Sequence, residues 1–381
     1  MNLALKDIRA DWVRFLLAAI GLGAILVATM GINGLYRGIV FEALLMIDNI
    51  GADLWVVQGE RMGPFAETSY VTSALDLRLE GVPGVRTARR FIQFNKQFIV
   101  DNRRKGISIV GLDYPKDQGE WLPLISGRQL QSAHYEAVAD KSLGVVVGDT
   151  LRLGRDDYSI VGVTSGQVDL GGDPLLFVSI PDAQAIDQFV PSEAVLLNRQ
   201  ANRTTLGRGQ YKGNVAAVIL ELQPGADLAS VRDLILRWGD VNVLSKQQQR
   251  DTLLNGRLWR LRIQILAFVV TMFAVAGGVV AVTIFNMTIA KIPSIALLKL
   301  IGSPDRVIVS MIVQSSLLLG CIAYGGAMLV AHQLYPHFPR TVVLLASDHA
   351  QFFVLTMLIC IAASWVGINR AFRVHAREVL A

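Results

Sequence analysis

The 381 residues are 52% hydrophobic and only 18% charged, with a mean hydropathy of +0.44. Soluble globular domains carry about 25% charged residues, so a large apolar fraction belongs outside water and a purely soluble chain is excluded. The net charge of +5 gathers on no single face, which argues against a nucleic-acid binder. The two cysteines, Cys321 and Cys360, lie inside apolar runs and are too few for a disulfide framework or a zinc site.

In chain order, residues 1–14 predict a short amphipathic helix along the inner membrane face, with Leu5, Ile8, Trp12 and Phe15 on one side and Asp7, Asp11 and Arg14 on another. Residues 15–36 predict a first transmembrane helix, apolar apart from Thr29 and Asn33. No A-x-A site follows it, so it is expected to stay as an anchor rather than be cleaved as a signal peptide.

Residues 37–258 read as a mixed α/β extracytoplasmic domain. Strands are expected at 54–58, 91–100, 107–111, 136–139, 150–153, 158–163, 175–179, 215–222 and 241–244, and helices at 75–79 and 227–238. In the second helix Leu228, Val231, Leu234 and Ile235 share one face. Residues 198–214 read as an exposed Arg-rich loop. The outer subdomain is expected from about 50–115 and 215–245, with an insertion at about 116–214. Residues 245–262, polar and Arg-rich, predict one helix rising from the second span.

Three further transmembrane helices are expected at 259–289, 307–332 and 351–369, separated by a loop at 290–306 and another at 333–350, with a basic tail at 370–381. Lys6, Arg9 and Arg14, then Lys291, Lys299 and Arg306, then Arg370, Arg373 and Arg377 fall on one side of a four-span topology. By the positive-inside rule that side is the cytoplasm, so both termini and the loop 290–306 are expected there. Within the spans, Ala24-x-x-x-Ala28, Ala274-x-x-x-Gly278 and Gly277-x-x-x-Ala281 are candidate close-packing faces, between helices or between two copies.

Sites of chemistry are missing from the sequence. It has no G-x-x-x-x-G-K-[ST] phosphate loop, no H-E-x-x-H and no G-x-S-x-G. His332, His337 and Asp348-His349 read as interfacial polar residues rather than metal ligands, and Asp156-Asp157 as a solvated turn. No titratable residue lies deep in a span, as a proton-coupled transporter would need. No catalytic, cofactor-binding or metal-ligating residue is therefore expected.

The order of helix, span, large outer domain, three spans and basic tail resembles the permease subunit of MacB/FtsX-type (type VII) ABC transporters over the whole chain. Gly51-Ala-Asp-Leu-Trp-Val-Val-Gln58 and Gly63-Pro-Phe65 are similar to DevC-like permeases in particular. Gly148-Asp149-Thr150 with Ile160-Val161-Gly162, the segment Ile295–Ser303 and the tail Arg370–Leu380 resemble further family stretches. Pro293-Ser294 stands where the family has Arg-Glu, and Ala376 where it has Pro; Pro293 still suits a first helical turn.

The resemblance implies an α-helical membrane protein with a MacB-like periplasmic domain inserted between its first and second spans. It implies two copies paired through spans one and two, and two separate ATPase subunits carrying ATP-Mg, with no cofactor on this chain. The ATPase would dock on Ile295, Leu297, Leu298, Lys299, Ile301 and Gly302. Motion would pass to the outer domain by mechanotransmission, in a bacterial inner membrane. The DevC-like stretches add a membrane-fusion adaptor, an outer-membrane channel and a lipid or glycolipid substrate. The alternative is an FtsX-like signalling subunit that activates a periplasmic partner, although FtsX outer domains are usually much smaller than 37–258. A membrane-anchored enzyme would need a catalytic constellation that is not there.

Overall fold

The computed structural model describes residues 12–100, 103–189, 214–301, 304–338 and 340–372. The amphipathic segment before Trp12, most of the 198–214 loop and the tail beyond Phe372 lie outside the described residues. The chain divides into two compact units, Val40–Trp259 and the pair of segments Met1–Ile39 and Arg260–Ala381.

Unit Val40–Trp259 is built on a ten-stranded mixed sheet. Its strands are β1 (Leu54–Gln58), β3 (Val85–Val100), β4 (Arg103–Leu112), β5 (Leu124–Gly127), β6 (Glu136–Asp140), β7 (Thr150–Leu153), β8 (Asp156–Thr164), β9 (Leu175–Ser179), β11 (Ala217–Leu222) and β12 (Val241–Ser245). Along the sheet the order is β12-β1-β11-β3-β4-β9-β6-β8-β5, with β7 on β8; β2 (Val71–Thr72) and β10 (Asn214–Val215) form a separate pair. β3 joins the two ends of the sheet. Its first half pairs with β11 (Phe91 opposite Ala217) and its second with β4 (Ile92 opposite Gly111). The parallel pairing of β4 with β9 carries the sheet past residue 116 without a break.

Alternation in the strands assigns side chains to two faces. Leu54, Val56, Val218, Leu220, Ile107, Ile109, Leu176 and Val178 enter one apolar cluster. Their neighbours Trp55, Val57, Ala217, Ile219, Val110, Leu112, Leu175 and Phe177 enter the other. With both faces covered, central strands read as continuous apolar runs, as β1 (LWVV) and β9 (LLFV) do. Three helices cover the first face: α2 (Leu75–Glu80), α3 (Ile180–Gln188) and α4 (Leu228–Leu236). On the second face lie Met46 and Ile50 from the end of α1 (Trp12–Asn49), together with Leu122 and Leu130. There Trp55 meets Phe65 and Phe91 edge-on, with ring centroids 5.1 and 5.4 Å away.

Helix α3 was not expected, although its start is written in the sequence: Ser179 accepts from the Asp182 N–H, and Pro181 sits in the first turn. In α4 only Val231 and Ile235 are buried, whereas Leu228 and Leu234 remain exposed, so the apolar face is narrower than its spacing suggested. α1 also continues thirteen residues beyond Tyr36, to Asn49. Nothing between Arg37 and Asn49 breaks a helix except Gly38, which costs about 1 kcal/mol.

The other unit holds four helices long and apolar enough to cross a membrane: α1, α6 (Trp259–Ala290), α8 (Asp305–Leu334) and α9 (Ala346–Phe372). The short α7 (Ile292–Leu300) lies between α6 and α8. Phe15, Ala19, Leu22, Leu26 and Met30 of α1 pack with Ala276, Val280, Ile284 and Met287 of α6, and with apolar residues of α8 and α9. The spacing of each set follows one helical stripe. Ser316 donates a buried hydrogen bond to the Cys360 carbonyl at 2.7 Å, and a Cβ at Gly320 would lie 2.7 Å from Cys360 Sγ, so α8 and α9 touch closely there.

Candidate functional site

Two places gather the features that a membrane device would use. The first is α7. Ile295 is fully buried among the transmembrane helices and Ala296 nearly so, while Leu297 is 58% and Ile301 76% exposed. The six residues singled out in this segment therefore divide. Ile295 packs inside the transmembrane core, whereas Leu297 and Ile301 form an apolar outer surface. The side chains of Leu298 and Lys299, and all of Gly302, lie outside the described part.

The small-residue candidates divide as well. Gly277 faces α9, where a Cβ would lie 3.4 Å from Ile359 Cγ2, and Ala281 packs at the edge of the transmembrane core. Ala24, Ala28, Ala274 and Gly278 are exposed, and a Cβ at Gly278 would meet nothing within 4 Å. The tight approaches occur elsewhere, at Gly320 and at Gly38, where a Cβ would collide with the Thr341 carbonyl. Both glycines do carry the small-residue spacing, as Gly34-x-x-x-Gly38 and Ser316-x-x-x-Gly320, but neither pair was among the candidates, and Gly38 lies beyond the expected end of the first span.

The second place is the stalk. After β12 the chain forms α5 (Lys246–Thr252), then one π-helical turn (Leu253–Arg257), then α6. The single helix expected over 245–262 is thus interrupted. Ser245 and Gln248 make a reciprocal capping box that starts α5 sharply. The Leu258 N–H donates to the Leu253 carbonyl at 3.0 Å, and Leu253 and Leu258 are both buried. A π turn of this kind absorbs one extra residue and marks functional positions more often than chance.

Three cations converge on the C-terminal end of α1. Arg250 Nη1 donates to both carboxylate oxygens of Asp48, at 2.6 and 2.7 Å. Lys246 Nζ donates to the Asp48 carbonyl at 2.9 Å and lies 3.4 Å from Asp48 Oδ1. Arg89, 6% exposed, donates to the Ile50 carbonyl at 2.7 Å and pairs with Asp117 at 2.9 Å and Glu221 at 2.7 Å. A helix C-terminus carries about half a negative charge and unpaired carbonyls, so cations belong there. Asp48 alone would be misplaced at that end, and Lys246 alone would be misplaced at the start of α5. Each is unfavourable for its own helix and favourable for the pair. Burial pushes the Asp117 carboxyl above its ordinary range, and the adjacent Arg89 opposes this. Sequence reading missed Arg89, Asp48 and Lys246 because their partners lie far along the chain.

A third ionic contact holds the other unit together. Arg37 Nη2 donates to Asp348 Oδ1 at 2.6 Å, and Asp348 Oδ2 accepts from the Leu345 N–H. Tyr335 donates to the Val27 carbonyl at 2.7 Å, tying α1 to the turn after α8. Among the described residues no cluster of three or more His, Cys, Asp or Glu side chains could hold a metal.

Four apolar helices, a short helix between the second and third, and a large α/β domain between the first and second define a multi-pass permease-type subunit. Residues 15–237 match the family model described as MacB-like periplasmic core domain. Two relatives align over nearly the full chain. An uncharacterized ABC transporter permease of Mycobacterium tuberculosis is 23% identical over 375 residues, 98% of this chain and 97% of the relative. One of Mycobacterium bovis is 22% identical over 368 residues, 96% and 95% respectively. Among solved structures, the periplasmic region of MacB from Actinobacillus actinomycetemcomitans covers 55% of this chain and 98% of its own, at 14% identity and a TM-score of 0.37. The extracellular domain of the ABC-type transporter YknZ from Gram-positive bacteria covers 51% and 100%, at 12% identity and a TM-score of 0.34. The chain belongs to the MacB-like periplasmic core domain family and is a MacB-like type VII ABC transporter permease.

Proposed function

We propose that this permease is the non-catalytic membrane subunit of an ATP-driven exporter that works by mechanotransmission. Two ATPase subunits, each with its own ATP-Mg, would dock on Leu297 of α7 and on Ile301 just after it, from the cytoplasm. Closure of the ATPases would move α6, and the π turn and the Asp48–Arg250–Lys246 clamp would pass that motion to the sheet. The observation that carries this reading is the clamp. It ties the end of α1 and the stalk leading to α6 to one residue, Asp48. The Lys and Arg distribution supports cytoplasmic termini in a bacterial inner membrane. A second copy would pair through the exposed Ala24, Ala28, Ala274 and Gly278. An adaptor, an outer-membrane channel and a lipid or glycolipid substrate rest on the DevC-like stretches 51–58 and 63–65 alone.

The test is co-purification of the full chain from its native membrane in mild detergent. Leu297→Asp with Ile301→Asp is expected to lose an ABC ATPase that the unaltered chain retains, while the chain stays folded. If no ATPase accompanies the unaltered chain, the docking role fails.

A further inference from the structure

The stretch Gly63-Pro64-Phe65, which the coupling role leaves unexplained, sits in a strap of unit Val40–Trp259 that runs from Gly59 to Tyr70. Both ends of the strap are tied to the sheet. The Gly59 N–H donates to the Asp240 carbonyl at 3.2 Å, and Asn242 Nδ2 donates to the Arg61 carbonyl at 2.8 Å. At the far end the Gln58 N–H donates to Ser69 Oγ at 3.0 Å, and the Tyr70 N–H to Gln58 Oε1 at 3.3 Å. Between these ties Phe65 lies against Trp55 and Phe91, with ring centroids 5.1 and 5.8 Å away. An aromatic plug therefore seats the strap on the second face of the sheet.

Below Gly63 the packing is incomplete. Gln249 of α5 is 1% exposed, yet neither its Oε1 nor its Nε2 has a hydrogen-bond partner among the described residues. No other buried carboxamide among them is left with both atoms unpaired. The Nε1–H of the fully buried Trp55, beside Phe65, is unpaired as well. The Gln249 amide presses on the strap, because a Cβ at Gly63 would collide with both of its polar atoms. Gly63 also has a φ of +105°, so close approach and backbone conformation both require glycine there.

Native folds seldom bury an unpaired polar group, and one that persists calls for a reason such as stored strain. Each unpaired atom shifts the balance away from the seated strap by about five- to a hundredfold, since the amide regains its bonds once exposed. Burial of Phe65 acts in the opposite direction by a comparable factor. Opposed factors of similar size give local opening without unfolding of the sheet. Gln249 is also the neighbour of Arg250, whose guanidinium holds Asp48 at 2.6 Å. A displacement of α5 moves the amide and the guanidinium together. We infer that the strap 59–70 is a two-position latch, unseated and reseated as Gln249 moves with α5. Its part in transmission rests on the coupling reading above: stalk movement leaves α5 through Gln249 and Gly63 as well as through Asp48.

The test is hydrogen–deuterium exchange of the full chain in nanodiscs, read at amides 61–70 with β4 and β9 as reference. Gln249→Met keeps the size of the side chain and removes the unpaired amide. It is expected to slow exchange of the strap about tenfold, whereas loss of a stabilising side chain would speed it. Phe65→Ala is expected to speed it about tenfold, with β4 and β9 unchanged. The latch is overturned if Gln249→Met leaves exchange unchanged or speeds it, because the amide is then satisfied where it sits. It is equally overturned if Phe65→Ala speeds β4 and β9 as much as the strap. The link to the stalk is read in the complex with its ATPase, without nucleotide and with a non-hydrolysable ATP analogue. Strap exchange is expected to differ at least threefold between the two states, and Gln249→Met to abolish the difference. A nucleotide response that stops in α5, or a strap response that persists in Gln249→Met, overturns the link and leaves mechanotransmission standing. No response in α5 or the strap counts against mechanotransmission itself, while the two variants still decide the latch.

Discussion

The two units satisfy their apolar residues by different means. In Val40–Trp259 the strands bury both faces, one under α2, α3 and α4 and the other under the end of α1 and the loops that carry Phe65, Leu122 and Leu130. In the membrane unit only one stripe of each helix is buried. The imbalance is greatest in α6, where 11% of the most apolar stretch is buried, against 39% in α1, 44% in α8 and 39% in α9. An apolar helix with so little protein around it is completed by lipid or by another protein. Among the described residues both faces of the outer unit's sheet are covered from within the unit, while the membrane unit presents α6 to something else. Substitutions in the first should register as stability, and substitutions on the open face of the second as association.

The largest effect is expected from Arg89→Ala. Arg89 is buried and holds Asp117, Glu221 and the Ile50 carbonyl together. Removing one partner of a buried ionic cluster costs about 3–5 kcal/mol, because the charges left behind have no solvent. Thermal unfolding of the reconstituted chain should show a lower Tm for the outer unit. An unchanged Tm would mean that water reaches the cluster and that the outer unit is less closed than its burial indicates.

A matched pair of glycines tests the membrane side. Gly320→Leu places a side chain where Cys360 already stands, and overpacking of this kind costs about 1–3 kcal/mol. Gly278→Leu meets open space and should leave the Tm of the single chain unchanged. If α6 is where a second copy sits, Gly278→Leu should instead reduce cysteine cross-linking or the dimer fraction measured by mass photometry. Equal stability loss in both variants would remove the distinction between packed and open helices.

Much of this contrast could be read in the sequence. The four spans follow from apolar runs with few charges, and β1, β9 and β11 from short β-branched and aromatic runs flanked by turn residues. The MacB-like domain followed from motif order. Three things were hidden, each for a physical reason. The length of α1 was hidden because Arg37, Glu42 and Asp48 look like the end of a span, yet charged residues do not stop a helix that has left the bilayer. The packing glycines were passed over although Gly34-x-x-x-Gly38 and Ser316-x-x-x-Gly320 carry the small-residue spacing, because that spacing recurs throughout the spans and does not name the facing residue. The clamp was hidden because Asp48 and Arg250 are 202 positions apart. What could have pointed to it is the local misfit: a carboxylate at a helix C-terminus and a lysine at a helix start, each wrong for its own helix.

A smaller stability effect and a larger functional one are expected from Asp48→Ala. The side chains of Asp48 and Arg250 are each 34% exposed, so the pair contributes about 1 kcal/mol or less to stability. If the clamp transmits motion, ATPase turnover of the complex should no longer respond to the state of the outer domain, although both parts stay folded. Arg250→Lys, which keeps the charge but shortens the reach, should recover part of the response. A variant that couples normally would leave the clamp a purely structural tie within the outer unit.

The smallest expected effect is a pH dependence inside the outer unit. Hydrogen bonds from Arg128, and from the backbone N–H groups of Gln131 and Ser132, hold the Glu136 carboxyl below its ordinary value of 4.5. A carboxylate lowered in the folded state adds stability above its unfolded pKa and loses it as pH falls through the folded one. The Tm advantage of the unaltered chain over Glu136→Gln should thus be full above pH 4.5 and shrink as the solution is acidified below it. Asp117 works in the opposite sense. Its folded pKa is raised above 3.8, so folding gains protons there and stability rises as pH falls through that raised value. The total acid response mixes the two signs, and only the difference between the unaltered chain and Glu136→Gln isolates the Arg128 pair. A difference that grows on acidification would mean that Glu136 is held protonated rather than ionised, and that β6 is anchored by packing instead of charge.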